Sequence, residues 1–177
     1  MKKHIIICLV ILAATTTCCE KEWEKYKDCK EWELTALEPQ VLQSIHWKLE
    51  GFVDIENCTI KRPKCPENWV CEDAYTFRFT GDTVSEGNPW YFTDTLARGL
   101  KVFYGETSSN SISGTYETDF ETGSFHITTR LSTHVGETSD GYQYCDVLPK
   151  VQHFALQENE LRLYYNDKKN YLLYKPK

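Results

Sequence analysis

The chain has no apolar run long enough to cross a bilayer as a helix. Its longest, Ile5 to Ala14, is ten residues, and a spanning helix takes about 20. Cations are scarce: 20 Lys+Arg stand against 26 Asp+Glu, a net charge of -6. That balance excludes nucleic acid as a natural partner, because phosphate contacts draw on Lys and Arg. There is no Gly-x-Ser-x-Gly nucleophile motif, no cofactor motif, no internal repeat and no low-complexity tract. No histidine lies among Cys58, Cys65 and Cys71, and their gaps are wider than the two to four residues usual for zinc. The sequence therefore offers no catalytic residues, no cofactor and no metal site.

What is present begins with Lys2 and Lys3, the apolar run, Thr15–Thr17 and the pair Cys18-Cys19. This is the layout of a secretory signal with a cysteine at the cleavage point. It resembles a bacterial lipoprotein signal, in which that cysteine is acylated and becomes the mature N-terminus. Such signals favour Gly, Ala or Ser just before the cysteine. Here that residue is Thr17 or Cys18, so Cys18 is the expected lipidation site and Cys19 the alternative. Each buried CH₂ contributes about 0.8 kcal/mol, so two or more acyl chains make a lasting anchor. Loss of Lys2 and Lys3 with the signal would take the net charge to about -8. A domain so acidic would not lie flat on an anionic leaflet without the lipid's help.

The expected organisation is a signal peptide over residues 1–17, a tether or short helical lead-in over 18–44, and one β domain over 45–177. Glu20 to Gln43 is polar and reads as a spacer. Leu34, Leu37, Val41 and Leu42 nevertheless lie at roughly helical spacing. Export makes disulfides plausible for Cys29, Cys58, Cys65, Cys71 and Cys145. Their connectivity cannot be read from spacing.

From His46 onward apolar residues alternate with polar ones. The rows are Trp47/Leu49/Gly51/Val53/Ile55, Tyr75/Phe77/Phe79, Leu100/Val102/Tyr104, Ile112/Gly114/Tyr116 and Phe125/Ile127/Thr129/Leu131. They continue as Phe154/Leu156, Leu161/Leu163/Tyr165 and Tyr171/Leu173. Period-two patterning, rich in Thr and aromatics, predicts an all-β antiparallel domain of about eight strands. A small closed barrel is favoured over a sandwich, because closure removes sheet edges.

The stretch from Trp47 to Lys175 resembles the META domain of bacterial envelope proteins. The resemblance rests on Trp47-Lys48-Leu49, Tyr75-Thr76-Phe77-Arg78-Phe79, Ser113-Gly114-Thr115-Tyr116 and Phe125-His126-Ile127-Thr128-Thr129. It extends through Glu160-Leu161-Arg162-Leu163-Tyr164-Tyr165 and Tyr171-Leu172-Leu173-Tyr174. It implies a lipocalin-like barrel in a lipoprotein of Bacteroides-type bacteria. It also implies a family without a common catalytic activity, some of whose members are linked to stress or drug tolerance. The Cys58–Cys71 insert departs from the family pattern.

Other residues carry weaker signals. His46, His126, His134 and His153 are scattered, which suits ordinary surface or core histidines better than a catalytic set. Glu117, Asp119 and Glu121 share one face of a strand and could face calcium, but they read better as its wet side. Trp90 and Tyr91, beside Gly87-Asn88-Pro89, and Trp69 in the cysteine-rich loop are candidate ligand-binding residues. Their competing role is to plug the barrel mouth. Asp82-Thr83-Val84 and Asp94-Thr95-Leu96 resemble a bacterial O-glycosylation tripeptide, making Thr83 and Thr95 candidates. Asn57-Cys58-Thr59 fits an N-glycosylation pattern that a bacterial envelope does not ordinarily use.

Together these readings predict a non-enzymatic lipoprotein of the bacterial envelope, tethered to the outer membrane and facing either side. Its barrel would bind a protein, a glycan or a small apolar molecule. One rival is a structural or stress-tolerance protein without a ligand. Another is a hydrolase, which requires a perturbed His or carboxylate in a polar cleft.

Overall fold

The alternating rows become strands that share their apolar side. In a computed structural model describing residues 22–32, 39–65, 71–84, 99–133, 135–157 and 159–177, the elements run in this order. β1 is Glu24–Lys25, α1 Pro39–Ser44, β2 His46–Asp54, β3 Thr59–Lys61, β4 Thr76–Thr83, β5 Lys101–Glu106, β6 Ser111–Asp119 and β7 Ser124–Ser132. Then come α2 Ser139–Val147, β8 His153–Gln157, β9 Glu160–Tyr165 and β10 Asn170–Pro176. All pairings are antiparallel.

β2 is the pivot. One of its edges pairs with β10. Its other edge is divided: His46, Trp47 and Lys48 meet Arg78, Phe77 and Thr76 of β4, whereas Phe52, Val53 and Asp54 meet Lys61, Ile60 and Thr59 of β3. The first contact closes β2–β10–β9–β8–β7–β6–β5–β4 into an eight-stranded barrel, as the patterning predicts. The second starts a two-stranded flap, β3–β1, that leaves the ring.

The interior is filled with aromatic rings. Trp47, Phe77, Phe79, Phe103, Tyr116, Phe125 and Tyr174 are all fully buried. Phe77 stacks on Phe103 at 4.6 Å, and Phe79 meets Tyr116 and Phe125 edge-on at 4.9 and 5.7 Å. Such pairs add about 0.5–1.5 kcal/mol each beyond their burial. Trp47 donates its indole N–H to the carbonyl of Leu42 at 3.2 Å, which fastens α1 to the barrel.

β7 and β8 share a single ladder position, Ser124 with His153. The chain between them forms α2, capped by the Thr138 hydroxyl accepting from Gly141 N at 3.0 Å, and then one 3-10 turn, Leu148–Lys150. Tyr144, Val147 and Leu148 enter the core from this segment, and Tyr174 donates to the Tyr144 hydroxyl at 3.0 Å.

Besides β10, where Leu172 and Tyr174 rather than Tyr171 and Leu173 point inward, three expectations change. On β5 the inward residue is Phe103, while Tyr104 faces out and Val102 packs with Val84 in a small separate cluster. Both faces of β5 are rich in apolar residues, so alternation alone does not fix its phase. On β2 the ladder slips: Leu173 faces Gly51 and Tyr174 faces Leu49, leaving Glu50 as an extra residue. This bulge turns Phe52 inward and Val53 outward. The third concerns the lead-in. Glu22–Trp32, expected within a spacer, lies against the outer wall, where Tyr26 and Trp32 pack on Val53, Ile60, Ala155, Tyr164, Tyr171 and Leu173.

The disulfides explain part of that docking. Cys29 bonds Cys58, tying the lead-in to the β2–β3 turn, and Cys65 bonds Cys71. Cys145, expected as a pairing candidate, is a free, half-buried thiol. It lies on α2, remote in sequence from the other four, which satisfy one another. Burial pushes its thiol up, against the opposing effect of Arg130.

Candidate functional site

A barrel packed with its own side chains leaves its outer surface as the place to look for a site. A groove of about 590 Å³ lies on the outer face of β4 and β5, beside the seam where β2 closes the ring. Cross-strand register places His46 opposite Arg78, and Arg78 opposite Tyr104. The inward neighbours Trp47, Phe77 and Phe103 are fully buried, so alternation turns this row outward. Tyr104 is 44% exposed, and Arg78 is exposed. Among the described residues no carboxylate pairs with Arg78.

The groove's borders are held by hydrogen bonds and close packing. Tyr75 begins the approach to β4 with φ +57°, an unusual angle for a bulky residue. It is held by Leu49 N donating to its carbonyl at 2.9 Å and by its own N–H donating to Thr107 O at 3.1 Å. Its ring meets Tyr144 edge-on at 5.7 Å. Gly105 lets β5 pass close to β4, since a Cβ there would stand 2.3 Å from the Thr76 carbonyl oxygen. The turn after β5 is clamped by Glu137, whose carboxylate accepts from the hydroxyls of Thr107 and Ser108 and from the Asn110 amide. Burial would raise the Glu137 pKa, but these three donors outweigh it and hold the carboxyl below its ordinary value.

His46 opens the groove at the start of β2. Partial burial, then the positive charges of Lys177 and Arg78, keep its imidazole pKa below the usual histidine value. Asp73 on the same border is engaged by Lys177. The groove thus presents a neutral-leaning imidazole, an exposed guanidinium and a phenol ring in one row, with Glu106, Ser108 and Ser109 beside them.

A second polar cluster lies under the docked lead-in. Arg162 on β9 is fully buried. It donates to the Lys30 carbonyl at 2.6 Å and to Asp28 Oδ2 at 2.7 Å, with Glu160 at 3.6 Å. Trp32 covers it at 3.3 Å, and Tyr171 lies at 4.8 Å. Among the described residues the contacts of this cluster are internal, so it fastens the lead-in.

The structure places the candidates read from sequence as follows. Cys18, Cys19, Trp69, Trp90, Tyr91, Thr95 and His134 lie outside the described residues. Thr83 is exposed at the end of β4, opposite Lys101. Glu117, Asp119 and Glu121 are exposed, and Asp119 accepts from Glu121 N and the Thr122 hydroxyl, both at 2.8 Å, closing the β6–β7 turn. His126 and His153 lie on neighbouring strands, apart from His46. Burial, then Lys168, lowers the His153 pKa. Arg78 and Tyr104 were read only as strand residues. The register that unites them across β2, β4 and β5 depends on ring closure, which no local pattern encodes.

No family model matches the chain. The chain is 25% identical over 178 residues to a Tannerella forsythia protein described as "Putative lipoprotein", with 99% of this chain and 97% of that one covered. Two solved structures share the fold at 17% identity. One is a DUF4847 family protein from Bacteroides vulgatus, with a TM-score of 0.50, covering 77% of this chain and 94% of that one. The other is a protein from Burkholderia xenovorans, with a TM-score of 0.51, covering 83% of this chain and 95% of that one.

Proposed function

We propose that this chain is a lipid-anchored protein of the bacterial cell envelope, acylated at Cys18, whose barrel binds a carboxylated saccharide in the outer groove and catalyses no reaction. The observation that carries the binding assignment is Arg78: exposed, in no ion pair among the described residues, and flanked in register by His46 and Tyr104. A guanidinium forks onto a carboxylate, and an exposed phenol ring offers a flat face to a sugar ring. Ser109, whose hydroxyl donates to the Gly136 carbonyl, and Glu106, which accepts from Ser111, keep acceptor lone pairs for sugar hydroxyl groups. The signal layout at Lys2 to Cys18 and the relative described as a lipoprotein support the anchor. On this reading the protein is of META type and belongs to the outer membrane, supported by motifs such as Trp47-Lys48-Leu49 and Ser113-Gly114-Thr115-Tyr116.

A hydrolase is the weaker reading. His46 lies in the cleft with a shifted pKa, but among the described residues no hydrogen bond links it to a hydroxyl or thiol nucleophile. A ligand-free structural role draws support from the filled interior. It predicts that an envelope defect in a deletion strain is rescued equally by wild type and by the Arg78→Ala/Tyr104→Ala double variant.

The direct test titrates trigalacturonate into the protein by calorimetry, with maltotriose as the uncharged control. The expected result is binding of the acidic sugar alone, weakened at least about tenfold by Arg78→Ala and by Tyr104→Ala. Absence of binding, or equal binding by the variants, overturns the groove assignment. Metabolic labelling with an alkynyl fatty acid tests the anchor: the double variant Cys18→Ser/Cys19→Ser should abolish the label, and Cys19→Ser alone should keep it.

A further inference from the structure

We infer that the lead-in seats the barrel directly on the membrane, with the β1–β3 flap facing the lipid headgroups and Trp23 in the interface. The inference rests on the acylation of Cys18 proposed above.

The argument begins with chain length. Three residues separate Cys18 from Glu22, and four fully extended peptide steps reach at most about 14 Å. From Glu22 onward the chain is fixed to the barrel. The Glu22 carboxylate lies 3.8 Å from Lys61 Nζ. Glu24 and Lys25 pair with Ile60 and Thr59. Tyr26 N donates to Cys58 O at 2.9 Å, the Cys29–Cys58 bond follows, and Trp32 covers Arg162. A lipid on Cys18 therefore cannot hold the domain at arm's length: the start of the flap segment must stay within about 14 Å of the anchored cysteine, roughly two headgroup layers.

The surface at that point suits the position. Trp23, 37% exposed, is the large apolar side chain next to the anchor. Indole is favoured at membrane interfaces, where its body is apolar and its N–H is wet. The chain carries a net charge of -6, but cations interleave with carboxylates along this segment. Lys25, Lys27, Lys30 and Arg62 stand among Glu22, Glu24, Asp28, Glu31 and Glu50, the last paired with Arg62. These cations reduce the repulsion that an acidic domain meets at an anionic leaflet. The occupant of this face is a lipid surface, since the covalent reach of the anchor delivers one.

The test uses the acylated full-length protein in vesicles of phosphatidylethanolamine and acyl-brominated phosphatidylcholine, reading tryptophan quenching. The N-terminal peptide of the same sample is weighed for its acyl groups. Wild type should be quenched, and Trp23→Phe should lose at least half of that quenching. Insertion of twenty Gly/Ser residues between Lys21 and Glu22 should lose a similar share while leaving Trp23 in place. If the acylated protein is not quenched, or if both variants are quenched like wild type, the seating is wrong and the anchor stands. An N-terminal peptide without acyl groups overturns the anchor and the seating together.

Discussion

The guanidinium carbon of Arg162 stands 3.3 Å from the centre of the Trp32 ring, joining a strand near the end of the chain to the segment that precedes the barrel. The charge is tolerable in a fully buried position because Asp28, the Lys30 carbonyl and two aromatic faces surround it. Trp32→Ala removes the lid and the cation–π contact, with an expected cost of about 2 kcal/mol. Urea unfolding followed by circular dichroism measures it. A variant within about 0.5 kcal/mol of wild type, the range of ordinary surface substitutions, would mean that the lead-in adds nothing to the barrel's stability.

The Cys29–Cys58 bond closes a loop with a sequence separation of 29. Chain-entropy arguments give such a cross-link about 3–4 kcal/mol. The double variant Cys29→Ser/Cys58→Ser should lose a stability of that order. It should also expose the lead-in to limited proteolysis while the barrel core resists. Cys65→Ser/Cys71→Ser, which opens a separation of only 6, should cost less.

Acid should loosen the turn between β5 and β6. The Glu137 pKa is held below the ordinary 4.5, so the unfolded state binds its proton more readily than the fold. The stabilisation is complete above that ordinary value and is lost as pH falls through the lowered one. Glu137→Gln should therefore flatten the stability–pH profile on the acid side. At neutral pH it should cost about 1 kcal/mol, a modest figure because solvent still reaches part of the carboxylate. Chemical denaturation at a series of pH values checks both statements.

Gly105→Ala should destabilise the barrel by about 1–3 kcal/mol, because its methyl would meet the backbone oxygen of Thr76 at 2.3 Å. A backbone atom cannot swing aside as a side-chain tip can. The same change should shift NMR signals of Arg78 and Tyr104, since β4 must move from β5 to make room. Unchanged stability would mean that the two strands are further apart than described.

Much of the fold was legible because each strand writes its own alternation. Trp47 and Leu49, Phe77 and Phe79, and Leu161 and Leu163 all point inward as their pattern predicts. Phase failed where both faces are apolar, as at Val102, Phe103 and Tyr104, and where the extra Glu50 shifts the ladder. α2 escaped notice because its buried face is short, with Tyr144 and Val147 separated by polar residues. Of the groove, each residue was visible but the assembly was not. His46, Arg78 and Tyr104 come together only once β4 meets β2. The docked lead-in was illegible for a related reason: no spacing rule tells Cys29 to choose Cys58.

The Cys29–Cys58 bond also decides how the molecule carries load. A pull entering through the N-terminus reaches Cys29, crosses the sulfur bridge to Cys58 and continues into β3. The intervening chain, which contains α1 and all of β2, is bypassed. β2 closes the ring against β4, so the covalent bypass keeps tension carried along the backbone out of that seam.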